Sequence, residues 1–137
     1  YDWETACDVC PPGWHLPSDD EWKELEMALG MSQAEADDTG WRGTNEGSKL
    51  AGNASLWADG DLDNNPEFGS SGFTALPGGY RLNDDNYYGI GDYGLWWSAT
   101  EHDTNLAWNR NLSYGVGDVH RGYRSKELGF SGRCVKD

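Results

Sequence analysis

Four sets of residues have the types and spacing for chemistry: the Cys7-Asp8-Val9-Cys10 pair, the alternating Asp59, Asp61 and Asp63, the loop Gly89-Ile90-Gly91-Asp92-Tyr93-Gly94, and the histidines His15, His102 and His120. A C-x-x-C pair does redox work where a helix N-terminus stabilises its thiolate, but Pro11-Pro12-Gly13 follows this one. Half a zinc site is the second use. It lacks another close ligand pair, because the three histidines are scattered. The third use is structural: a bridge from Cys10 to Cys134 would close nearly the whole chain into one loop. It would be worth about 4 to 5 kcal/mol in the chain-entropy model, and it would imply an oxidising compartment.

Alternating aspartates supply the oxygen ligands that calcium takes, yet Asn64 stands where the calcium loop of an EF-hand needs Gly and Ser70 where it needs Glu. A solvated acidic loop is the expectation, with a calcium ion at Asp59, Asp61 and Asp63 as the lesser alternative. The Gly-rich loop matches G-x-G-x-x-G, which binds a dinucleotide only between a strand and a helix, and a Trp-rich strand follows here. No nucleophile elbow, zinc-protease helix or phosphate loop occurs. The expectation is therefore no enzyme, no catalytic residue, no cofactor and no metal.

The chain of 137 residues holds 24 acidic and 10 basic side chains, a net −14 that repels nucleic acid and anionic membrane surfaces. No apolar run reaches the roughly 18 residues of a membrane span, and a start at Tyr1 fits a processed or excised segment. Length allows one domain, here residues 1–137. The charge divides: residues 1–68 carry net −13 and residues 69–137 net −1. The second part also holds 11 of the 18 aromatics and 12 of the 19 glycines, a composition suited to recognition.

The positioning elements follow from pattern. Ser18 and Glu21 form a capping box, and Trp22, Leu25 and Leu29 recur at helical spacing, which predicts a helix over 19–29. Ser32 and Glu35 repeat the box for a shorter helix to about Ala36, and a helical turn is expected at Ser48–Ala51. Between Trp41 and Ser71 there is otherwise little period. Strands are expected at Leu95–Ala99, Ala107–Tyr114, around Val119–Arg121, and at Phe130–Val135. Adjacent Trp96 and Trp97 require a strand buried on both faces. On Ala107–Tyr114, Trp108, Arg110 and Leu112 share one face, while Asn109, Asn111 and Ser113 share the other, expected to be polar and exposed. The fold class is α+β, N-terminal helices followed by a Gly- and aromatic-rich antiparallel sheet with long loops.

Interleaved with this framework are Asn86, Tyr88, Asp92, Tyr93, His102, Asp103, Asn105, Asn109, Asn111, Tyr114, Asp118, His120, Tyr123 and Ser125. Adaptable polar and aromatic side chains on a rigid scaffold are how binding proteins are built, so residues 83–125 are the candidate ligand-binding region. The partner class is a protein or glycan ligand.

Cys10-Pro11-Pro12-Gly13-Trp14-His15-Leu16-Pro17-Ser18, Gly72-Phe73-Thr74-Ala75-Leu76-Pro77-Gly78-Gly79-Tyr80-Arg81, Gly94-Leu95-Trp96-Trp97-Ser98-Ala99 and Gly129-Phe130-Ser131-Gly132-Arg133-Cys134-Val135 resemble successive motifs of the Fibrobacter succinogenes major paralogous domain. That resemblance implies a C-type-lectin-like fold, related to the formylglycine-generating-enzyme group, in secreted or surface-attached bacterial proteins. The polar positions also resemble the variable region of diversity-generating retroelement proteins, where changes at adenines in Asn codons diversify a binding face. Asn109, Asn111, Asp118, His120, Tyr123 and Ser125 are reachable that way, with Trp108, Arg110 and Arg121 as scaffold. The implied location is extracellular or cell-surface.

Overall fold

The computed structural model describes all 137 residues as mixed helix and antiparallel sheet. Its helices are α1 (Trp3–Asp8), α2 (Asp19–Ala28), α3 (Gln33–Asp37) and α4 (Glu46–Leu50). The strands are β1 (Trp14–His15), β2 (Gly40–Arg42), β3 (Tyr80–Arg81), β4 (Tyr87–Tyr88), β5 (Tyr93–Glu101), β6 (Leu106–Ser113), β7 (Val119–Ser125) and β8 (Val135–Lys136). No helix is long and apolar enough to cross a membrane.

Both expected capping boxes form. Ser18 Oγ accepts from the Glu21 N–H at 3.1 Å while the Glu21 carboxylate accepts from the Ser18 N–H at 2.8 Å, and Ser32 with Glu35 repeats the exchange. α2 stops one residue short of the expected end, and α4 begins two residues before the expected turn. α1 is an addition, capped by Asp2, whose side chain accepts from the Thr5 N–H.

The main sheet has the order β2-β7-β6-β5, all antiparallel. Trp96 and Trp97 point to opposite faces and each enters a core. On the first face Trp96 joins Trp22, Leu50, Leu62, Leu112 and Val119; on the second Trp97 joins Ala6, Leu16, Leu95, Ala107 and Phe130. The strand expected at Phe130–Val135 is mostly absent. The Trp97 N–H donates to Ser131 O, and the chain then leaves the sheet to pair β8 with β1, held there by the Cys10–Cys134 bond. Cys7 is unbonded and half-buried in the last turn of α1. Burial, then Asp8, pushes its thiol above the ordinary value, which opposes thiolate chemistry.

A second tie lies beside β1. His15 Nδ1 is 2.6 Å from Asp137 Oδ1 and its Nε2 is 2.8 Å from Glu21 Oε1. Asp137 first, then Glu21, raises the His15 pKa above its ordinary 6.5. A raised folded pKa stabilises fully below the unfolded value and is lost as pH rises through the folded one. Thermal melts of wild type and His15→Gln should therefore differ below about pH 6 and converge in alkali. A gap that widens with rising pH would contradict this reading.

Candidate ligand-binding face

Asp19, Trp22 and Glu26 lie three and four residues apart, so α2 turns all three to the sheet and buries them. Glu26 accepts from Arg42 Nη1 at 2.5 Å, Arg42 Nη2 at 2.7 Å and Arg110 Nε at 3.1 Å. Asp19 accepts from Arg110 Nη1 at 2.6 Å and Arg121 Nη2 at 2.7 Å. Burial pushes the Asp19 carboxyl up, but the Arg121 hydrogen bond and the Arg110 charge outweigh it and hold the group below the usual carboxylate range. Burial also lowers the Arg110 pKa, against the pull of Glu26 and Asp19. The Arg121 guanidinium lies over the Trp108 ring, 3.8 Å from its centroid. Two carboxylates thus fix three arginines, one each from β2, β6 and β7.

On this frame Trp96, Trp97, Arg110, Leu112, Val119 and Arg121 are buried, in line with the framework expected from sequence, and Trp108 is half-buried. The candidate site residues separate into groups. His102, Asp103, Asn105 and Tyr123 are exposed and Ser125 partly so, together at the β5–β6 hairpin end. His102 stacks on Tyr123 at 3.9 Å, and Trp108 meets both edge-on. Asp103 closes the hairpin by accepting from the Asn105 and Leu106 N–H groups.

Asn86, Tyr88, Asp92, Tyr93 and Tyr114 lie around the β3–β4 pair and the start of β5. There Tyr88 stacks on Tyr80, Tyr93 packs edge-on to Tyr114, and the Tyr114 N–H donates to Asp92 O. Asp118 stands apart in the β6–β7 turn, where burial first, then Glu46, raises its carboxyl pKa. The aspartate run does not converge on one point. Asp59 accepts from Asn64, Asp63 accepts from the Gly60 N–H, and Leu62 between them is fully buried in the core. No group of three His, Cys, Asp or Glu side chains is arranged to hold a metal ion.

The expected polar face of β6 needs correction. Asn109 is only 2% exposed and Ser113 9%, so neither is displayed. Asn109 sits in register between Trp97 and Gly122, on the face where Trp97 packs against Phe130 at 4.3 Å. Further along, that face is open. A cavity of about 300 Å³ lies over Leu95 and Asn111, walled by Tyr80, Tyr93, Arg124 and Phe130. The sequence gave no sign that Tyr80, Leu82 and Leu128 would form walls, because their contacts come from segments distant in sequence.

Asn109 Nδ2, Asn111 Oδ1 and His120 Nδ1 all lie on this face, buried and without a hydrogen-bond partner. They are half of the six such side-chain atoms in the molecule. The His120 ring folds over Gly122, where an added Cβ would meet Cε1 at 2.7 Å, and edge-on contact with Trp41 supports its other side. Burial first, then Arg124, lowers the His120 pKa, which favours a neutral ring with one donor and one acceptor nitrogen.

No curated protein and no solved structure matches this chain. The family model of the Fibrobacter succinogenes major domain does, over residues 1–136, and so takes in the core, the arginine network and every candidate site residue. The chain belongs to the Fibrobacter succinogenes major domain family.

Proposed function

We propose that this is a non-catalytic ligand-binding domain on a C-type-lectin-like scaffold, exported or displayed at the cell surface, with a protein or glycan as its ligand. One observation carries the reading: along β6 and β7, residues locked to Asp19 and Glu26 alternate with residues that reach solvent. Displayed side chains there can change without disturbing the frame. This also supports diversification by a retroelement at Asn111, Asp118, His120, Tyr123 and Ser125, whereas Asn109 drops out because it is buried. Formylglycine-type chemistry would need paired active-site thiols, and Cys7 is the one thiol left outside the bridge.

The stability arm of the test uses His102→Ala, Asn105→Ala and Tyr123→Ala together. Loss of an exposed stack and an exposed amide should cost about 1 kcal/mol, a fall in Tm of roughly 5 °C or less. A collapse of the fold would show these residues to be core. Sequencing around the gene tests diversification. A reverse transcriptase beside an imperfect repeat of the 3′ end is expected, and its absence would leave an undiversified adhesion module as the better description.

A further inference from the structure

The second-face cavity has a chemistry of its own. Its floor offers an unpartnered acceptor at Asn111 Oδ1, with an unpartnered donor at Asn109 Nδ2 two residues along the strand and an unpartnered nitrogen at His120 Nδ1 on the neighbouring strand. Asn109 is 2% exposed, so its amide is a buried polar group without a protein partner, which costs free energy unless something supplies one. Gly122 holds the arrangement together. It faces Asn109 across the strand pair, and its missing side chain leaves the space the His120 ring occupies.

The surroundings narrow what can bind. Tyr80, Tyr93 and Phe130 offer ring surfaces, no carboxylate lines the cavity, and Arg124 is its one charged wall. The net −14 of the chain disfavours anions. A volume of about 300 Å³ is at the small end for ligand sites, enough for one ring-sized group. The ligand must be neutral, present an apolar ring face to the tyrosines, and both donate and accept at closely spaced points. Hydroxyls do both, and each can rotate to suit an amide or either imidazole tautomer.

We infer that the cavity over Leu95 and Asn111 binds a single neutral, hydroxyl-bearing sugar ring, with Asn111, Asn109 and His120 as its hydrogen-bond partners and Gly122 as the residue that positions His120. This deepens the binding reading above and rests on it, since Tyr93, Asn111 and His120 belong to the same candidate set. The site is separate from the His102–Tyr123 patch, so the two can fail independently.

The test is titration of the intact 15N-labelled chain with galactose, mannose and N-acetylglucosamine, watching the side-chain amides of Asn109 and Asn111. Saturable shifts are expected with at least one sugar, with Kd on the order of 1 mM for so small a ligand. Asn111→Leu and Gly122→Ala should each weaken that binding at least about tenfold. Asn111→Leu should leave Tm equal or higher, because it removes an unpartnered buried acceptor. Gly122→Ala should act by displacing the His120 ring, a flexible neighbour. The triple His102, Asn105 and Tyr123 variant should leave sugar binding unchanged. The methyl glycoside of the same sugar identifies the source. Equal binding points to the terminal residue of a glycan, and loss on methylation points to the free sugar. No saturable shift up to about 50 mM, tighter binding of glucuronate or adenine than of any neutral sugar, or wild-type affinity in both pocket variants would overturn the inference. Binding of a macromolecular ligand through the patch would survive any of these.

Discussion

Glu26→Ala is expected to lower Tm by roughly 10 to 20 °C. Glu26 is fully buried and is the carboxylate partner of Arg42, while sharing Arg110 with Asp19. Removing it leaves three buried guanidiniums facing one carboxylate, and breaking a buried ion pair this way costs about 3 to 5 kcal/mol. Domains of this size are stable by only about 5 to 15 kcal/mol, and each kcal/mol moves the midpoint by about 3 to 5 °C. Glu26→Gln keeps one acceptor oxygen and should fall in between. A melting temperature unchanged in Glu26→Ala would show that α2 is held to the sheet by apolar packing around Trp22 and Leu112 alone.

The second large effect concerns the Cys10–Cys134 bond, which spans 124 positions of sequence. Cys10→Ser with Cys134→Ser should cost about 4 to 5 kcal/mol, because the unlinked chain regains the loop entropy that the bond removes. Adding a reductant to the wild type should reproduce that loss, and non-reducing peptide mapping should recover the linked pair. Both thiols free, with stability indifferent to reductant, would remove the support for an oxidising compartment. The cysteine double variant and Glu26→Ala act on distant parts of the molecule and should be nearly additive.

The sequence made the locally encoded parts of this fold legible. Ser18 with Glu21 and Ser32 with Glu35 are short-range hydrogen-bond exchanges, and both form as read. Adjacent Trp96 and Trp97 announced a strand buried on both faces, because period two leaves no other place for two large rings. α1, β2 and the β3–β4 pair left no comparable trace, being only two to six residues long with no room for a period. Arg110 and Arg121 were readable as framework, but their carboxylates are 84 to 102 residues away and carry no sequence mark beyond the shared α2 face. Asn109 misled for a related reason. Alternation placed it correctly opposite Arg110, but what covers that face is Trp97 with Phe130, and polarity does not reveal it.

The central claim is that displayed side chains on a locked frame bind a ligand. It is tested most directly by a binding screen of purified wild type and the His102→Ala, Asn105→Ala, Tyr123→Ala variant against arrayed glycans and surface proteins. The expected result is at least one saturable ligand of the wild type that the variant loses at least tenfold while its melting temperature stays close. Ligands bound equally well by both proteins would contradict the claim for this patch.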